Sequence, residues 1–276
     1  MSVEDEFTSY LDASLLGKQI QIVAPDQLSA EETELIPASW IELAQNPGRS
    51  AIEQTLSLWR QAIPGRLPKL LDIIDRCGHA VHLARVTWES EPKPSIVLLY
   101  VFFDRAAFTN DFQMRIGFPL KPQTDLPDLW GQLPDSLRDL YHQVHDGFLT
   151  NLWAGPAGLI RSNDMYRLGE ALGQTDLAYL TTDDAGQSGL AFLVCDEVGE
   201  QPWDVALHGP LPNIDRLVGI CSSYGRARLL VDTVGDESDA WELWAGSFER
   251  WPNLWDRLDT WLVEAFVADG YREPGS

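Results

Sequence analysis

Residues 126–151, LPDLWGQLPDSLRDLYHQVHDGFLTN, carry the pattern on which the fold reading turns. Leu133, Leu137, Leu140, Tyr141, Val144 and Phe148 recur at spacings of three and four, so a helix would gather them on one face. Pro134 suits a first helical turn, where its missing N–H leaves nothing unsatisfied. Asp135 adds negative charge at the positive end of the helix dipole. Gly147 stands just past the last periodic turn, where a left-handed cap costs least without a side chain. The spacing predicts an amphipathic helix of about three turns over 134–146. By pattern alone, such a helix belongs to the core of any globular domain.

Downstream of this stretch, residues 163–172 suggest a short helix capped at Asn163. Leu177–Thr181 and Leu190–Cys195 read as strands paired around the loop 182–189 (TDDAGQSG), whose Asp, Gly and Ser content suits a longer turn. Trp203–His208, Ala227–Val231 and Ala240–Trp244 are further strand candidates. A closing helix is expected over 252–266, with Trp251, Leu254, Trp255, Leu258, Trp261, Leu262 and Phe266 as its apolar stripe and Pro252 near its start.

Upstream, Gln19–Val23 alternates like a short strand. Ser39 is placed to cap a short helix from Trp40, and Ser50, with Glu53 three residues on, to cap a longer one to Ile63 that Pro64-Gly65 stops. Leu67–Arg76 is a further helical stretch. Ala80–Trp88 and Ser95–Phe103 (SIVLLYVFF) form an expected hairpin around 89–94, and the unbroken apolar character of the second strand implies burial on both faces. The polar, proline-containing stretch 118–127 marks a domain boundary. That gives an N-terminal region, 1–125, of helices plus one hairpin, possessing contacts to the next region or standing apart from it, and a C-terminal domain, 126–276. The fold class expected is α+β, with a mainly antiparallel sheet flanked by helices.

Charge is the sharpest compositional fact. The 276 residues hold 42 acids and 20 bases, a formal net charge of −22. Residues 1–34 contribute −7, residues 35–175 contribute −2 and residues 176–276 contribute −13. A field of this sign repels nucleic acid and anionic lipid and speeds encounters with basic proteins; it also serves plain solubility. No apolar run reaches the ~18 residues of a membrane span. The opening MSVEDEFTSY lacks the basic-then-apolar layout of a signal peptide, so a cytoplasmic location is expected. Cys77, Cys195 and Cys221 are odd in number and widely spaced, which suits reduced thiols rather than a disulfide framework.

Chemistry-bearing spacings are sparse. Cys77-Gly-His79…His82 matches no zinc pattern, and alternation along a strand would send His79 and His82 to opposite sides. His142 and His145 lie one turn apart but lack the zincin glutamate, and read as a solvated surface pair. There is no nucleophile elbow, phosphate loop or dinucleotide fingerprint. Asp183-Asp184 and Asp236-Glu237-x-Asp239 lack the spacing of a calcium loop. Neither a catalytic residue, nor a metal site, nor a cofactor is expected. The 11 tryptophans are assigned mainly to packing, with one or two left as exposed interface anchors.

Trp130, Leu133, Pro134, Leu137, Tyr141, Asp146 and Gly147 together resemble the opening helix of the SUKH superfamily, the cell-wall-assembly-regulator-like domains that include many bacterial toxin-immunity proteins. Ser247-Phe248-Glu249, followed by an apolar helix, is similar to that family's closing segment. The resemblance spans residues 126–267 and excludes the N-terminal half. It implies a cytoplasmic immunity protein, not an enzyme, that masks the active site of a cognate toxin domain. The acidic composition suits a basic toxin acting on nucleic acid or nucleotides. The loop acids of the C-terminal half are the partner-binding candidates: Asp183, Asp184, Asp196, Glu197, Glu200, Asp236, Glu237 and Asp239. They are chosen by position and charge. The alternatives are an adaptor or regulatory protein of the same fold, a metal-dependent hydrolase using the acidic clusters, or a structural subunit.

Overall fold

The structure is a computed structural model; it describes residues 2–13, 20–88, 91–109, 112–122, 125–150, 157–170, 179–182, 188–196, 199–208, 212–223, 227–233, 239–244 and 247–272. The chain begins with helix α1 (Val3–Ala13) and strand β1 (Ile20–Val23), followed by helices α2 (Ala30–Leu35), α3 (Ala38–Gln45), α4 (Arg49–Ala62) and α5 (Pro68–Cys77). Strands β2 (Gly78–Trp88), β3 (Glu91–Phe102) and β4 (Gln113–Phe118) precede helix α6 (Asp135–Gln143). The remaining strands are β5 (Asp146–Thr150), β6 (Gly158–Leu159), β7 (Tyr166–Arg167), β8 (Tyr179–Thr182), β9 (Ser188–Asp196), β10 (Gly199–His208), β11 (Leu217–Ser222), β12 (Arg228–Asp232), β13 (Ala240–Trp244) and β14 (Ser247–Trp251), and helix α7 (Leu254–Ala268) closes the fold.

All these strands join one sheet in the order β1-β2-β3-β4-β5-β6-β11-β12-β13-β14-β10-β9-β8, with β7 paired to β11. Among the described residues every strand pairing is antiparallel except that of β10 with β14. The fold is therefore α+β, as expected, and the expected hairpin is β2–β3. The sheet passes through the sequence boundary at 125/126 without a break, because β4 pairs with β5. One apolar core runs from Phe7 to Tyr271 and includes both α4 and α7.

Side-chain burial explains the helices. Leu137, Leu140, Tyr141 and Val144 are buried, as the spacing predicted, and so are Trp255, Leu258 and Leu262. The central helix is shorter than its apolar pattern, however. It ends at Gln143, and Gly147, with φ of 71°, lies inside β5 instead of capping the helix. Phe148 continues the burial from a strand, so two periodicities were spliced into one. Helix α4 begins two residues earlier than the Ser50 cap would place it: Gly48 is its N-cap, and Glu53 pairs with Arg49. Of the helix expected over 163–172, residues 162–164 form a 3-10 turn, 166–167 are β7 and only 168–170 are helical within the described part. Ser247–Trp251 is a strand, so the closing helix starts at Leu254, where Asn253 caps it by accepting from the amides of Trp255 and Asp256.

The two halves are joined by specific polar contacts as well as by apolar ones. The Asp259 carboxylate on α7 accepts the amides of Lys69 and Leu70 at 3.0 and 2.9 Å, so α7 caps the N-terminus of α5. Pro68 precedes these two donors in the first turn, and Leu67 ahead of it adopts the left-handed conformation, φ 53°. On the other side, Trp40 of α3 donates its indole N–H to the carbonyl of Val144 at 3.2 Å.

Candidate functional site

Strand directions decide which candidate acids lie near one another. β8, β10, β12 and β14 run one way and β9 and β13 the other. The β12 and β13 ends that flank 234–238, and the Thr182 and Ser188 ends that flank 183–187, therefore sit at one end of the sheet, here called the upper end. Asp196, opposite Gly199, and Glu200, opposite Cys195, sit at the lower end. Along β9 the two ends are about 27 Å apart. The described strand ends that flank the candidate loops thus fall at two opposite ends of the sheet. Asp183, Asp184, Glu197, Asp236 and Glu237 themselves lie outside the described residues. Asp239 is the candidate whose side chain is described: both of its carboxylate oxygens accept from Arg250 Nη2 at 2.8 Å.

Among the described residues, β10 meets the main sheet through Ala206, Leu207 and His208, paired in parallel with Ser247, Phe248 and Glu249. Its first seven residues, 199–205, pair with β9 and carry the β8–β9–β10 leaf about 20 Å below the last rung of β14. Trp244 stands at that lower end, at the close of β13 and opposite Ser247, and is 50% exposed. Glu249, on the neighbouring strand, is exposed too. Sequence reading placed Trp244 in a strand without separating it from its buried neighbour Trp241; the alternation in AWELW, which groups Trp244 with Glu242, is the signal that distinguishes them.

The buried charges of the described residues are all engaged within the fold. Arg257 grips Glu242 with two hydrogen bonds, of 2.7 and 2.8 Å, meets Glu264 at 3.0 Å and lies 5.1 Å from the ring centres of Trp251 and Trp261. Arg115, inside β4, pairs with Asp269 at 3.0 Å and covers the Phe266 ring at 3.7 Å. The Asp146 carboxylate accepts from the Ser162 amide and hydroxyl at 2.6 and 2.9 Å, and burial pushes its pKa up to about 6. Burial likewise raises the Cys77 thiol to about 11 and holds Cys221 well above its usual range, so neither is a thiolate nucleophile at neutral pH.

His145 is not on the surface. It is 2% exposed, stacked on Phe148 and edge-on to Trp59 and Tyr100, and Gly117 makes room for it: an added Cβ there would come within 2.3 Å of the imidazole. The Tyr100 hydroxyl accepts from Trp59 Nε1 at 3.2 Å and lies 2.9 Å from His145 Nε2. An indole nitrogen only donates, so the tyrosine proton points to Nε2 and the imidazole is neutral. Desolvation lowers its pKa to about 4, partly offset by the backbone at Gly147 and His145. His142 is exposed, so the helical histidine pair is split between core and solvent.

His79 and His82 also depart from expectation. The β2–β3 register slips between Gly78 and Ala80, which makes His79 an extra residue, a β-bulge, and brings both imidazoles to the same face. Each has its Nε2 3.6 Å from the carboxylate of Glu4. Among the described residues no group of three or more His, Cys, Asp or Glu is placed to hold a metal ion, and no helix is long and apolar enough to cross a membrane. Comparison with protein-family models, curated proteins and solved structures finds no match to this chain.

Proposed function

We propose that this chain is a cytoplasmic immunity protein of the SUKH type, which binds a basic toxin domain and blocks its active site without turning over a substrate. The observation that carries the proposal is the lower end of the sheet. There an exposed tryptophan, Trp244, stands at the root of a leaf whose far turn begins at Asp196 and resumes at Gly199-Glu200. An aromatic anchor with charge around it is the usual anatomy of a protein-binding surface. A standard interface of about 800 Å² per partner is wide enough to span the anchor and the acidic turn. The engagement of the buried charges in internal pairs also favours binding over catalysis, since reactive centres need titratable groups that face a substrate.

The mechanism is steric occlusion with electrostatic guidance. Toxins that act on nucleic acid or nucleotides work through basic clefts, and a −13 surplus in residues 176–276 draws such a cleft toward this half of the chain. Asp239 ranks second, because it is already paired with Arg250.

The test is co-expression of a candidate toxin domain, sought beside this gene, with the wild-type chain or with Asp196→Lys and Glu200→Lys combined. Wild type should rescue growth and co-purify with the toxin, and the double reversal should weaken both. Equal survival without this chain, or a toxin that never co-purifies, rejects the immunity reading in favour of the adaptor.

A further inference from the structure

We propose that α1 is an acid-released latch, held on the sheet by burial of a neutral His82 and freed when that imidazole takes a proton. Phe7 of α1 is fully buried and stacks on the His82 ring, with centres 6.0 Å apart and planes at 15°. Phe112 meets Phe7 from the segment after β3, and Phe103 meets His79 edge-on. His82 is 5% exposed, and its Nε2 is buried without a hydrogen-bond partner. The Glu4 carboxylate, at 3.6 Å, is beyond hydrogen-bond reach and is itself half exposed. A proton added to His82 with α1 in place would therefore sit in apolar surroundings, poorly compensated.

The other charges on this face do not rescue it. His79, brought alongside by the bulge, is a second imidazole contending for Glu4 and opposes a positive charge on His82. Glu6 on α1 is held by Arg105 at 2.7 Å, and Asp104 accepts the amides of Ala106 and Ala107. The residue paired with His82 on β3 is Leu99, and on β1 Val23 and Ile22 face the next two positions of β2. Desolvation outweighs the attraction of Glu4 and keeps the pKa of His82 below its ordinary 6.5.

The sign follows from linkage. With α1 docked, His82 resists protonation; with α1 away, it titrates near 6.5. Docking is strongest above that pH and weakens as the pH falls through it. Between pH 7.5 and 5.0 the ceiling on the loss is about 30-fold, set by the uncovered imidazole alone. Release would bare Phe7, Phe112 and the His82 edge of the sheet.

Hydrogen exchange of the full chain at these two pH values, corrected for intrinsic rates, tests this. Protection of the amides of residues 7–13 should fall more than about three-fold on acidification, while amides 97–102 of β3 keep theirs better. His82→Phe preserves the stack and should abolish the difference. Glu4→Gln, a surface change that leaves the apolar contacts intact, should give a loss at least as large as wild type, because it removes the one charge favouring protonation in the docked state. A smaller loss in wild type, or a response that Glu4→Gln abolishes, would overturn the latch. So would tightening of α1 in acid, the sign of an ion pair between Glu4 and protonated histidine.

Discussion

Strands β2–β4 and strands β8–β10 share one sheet but are held in it by different means. Val97–Phe102 of β3 are at most 1% exposed: Tyr100 and Phe102 meet α4 and α7 on one face, while on the other His82, beside Leu99, meets α1. β8–β10, by contrast, are joined to the remaining strands by the three residue pairs between β10 and β14. The first region is made of long-range side-chain contacts and sets the stability of the molecule. The second is an outgrowth of local hairpins. On the proposed function, stability and recognition would thus fall in different parts of one sheet.

The strongest way to test this division is to damage the first region. Leu258 on α7 is fully buried in the same core as the β2–β4 side chains. Leu258→Ala should lower the unfolding free energy by about 2–5 kcal/mol through the cavity it leaves, measured by urea titration. A loss below ~0.5 kcal/mol would mean that α7 does not pack as described.

Two neighbouring residues sharpen the comparison through pH. His145, with its pKa lowered to about 4, contributes stability that is complete above 6.5 and lost as the pH falls toward 4. Asp146, raised to about 6, works oppositely: its contribution is complete below 3.8 and lost as the pH rises through 6. Each shift corresponds to about 3 kcal/mol, and between pH 4 and 6 the two slopes cancel. Wild-type stability should therefore be flat with respect to this pair over that range. Asp146→Asn, which keeps an acceptor for the Ser162 amide, should leave a stability that climbs with pH; His145→Phe should leave one that declines. Unfolding midpoints at pH 4.5 and 6.0 check both. Identical pH profiles for the two variants would mean that neither group is buried as the contacts indicate. A smaller effect is expected at the wall of the same site. Gly117→Ala drives a methyl into the His145 ring and should cost about 1–3 kcal/mol, whereas the same change at Gly48, where an added Cβ meets nothing within 4 Å, carries no such clash.

What the sequence made legible follows the same division. The stripe of α7 and the apolar run of β3 were readable because each obeys one period and is buried along its whole length. β4 was not: Gln113 and Arg115 interrupt its apolar residues, and what allows their burial is Asp269, more than 150 residues away. β11 carries no clear period either: Gly219 weakens its strand pattern, and its reason for being glycine is the ring of Tyr166 packed against it. The bulge at His79 and the burial of His145 were likewise hidden. A one-residue register slip and a space left by Gly117 are tertiary facts, without a periodic trace. Of the candidate site, the acids could be chosen from charge, but that the strand ends flanking their loops lie at opposite ends of the sheet required strand directions. Those depend on the parallel β10–β14 pairing, which no local pattern announces.

The smallest expected effect on stability is the one that bears most directly on the proposed function. Trp244 is 50% exposed, and its neighbour Trp241, at 5%, is what packs into the second apolar cluster with Leu230, Leu243 and Phe248. Trp244→Ala therefore removes little that the folded chain relies on, and unfolding should change by no more than about 0.5 kcal/mol. As an anchor in an interface the same residue would matter far more, since truncating a buried aromatic hot spot costs about 2 kcal/mol or more, roughly 30-fold in affinity. Leu35 is the matched control: it is 52% exposed, also large and apolar, and lies on α2 in the N-terminal region. Leu35→Ala should leave association with the proposed toxin partner unchanged while Trp244→Ala weakens it, and calorimetry on the two variants measures both. If Leu35 proves the sensitive position and Trp244 the indifferent one, recognition belongs to the helical region, and the β8–β10 leaf needs another explanation.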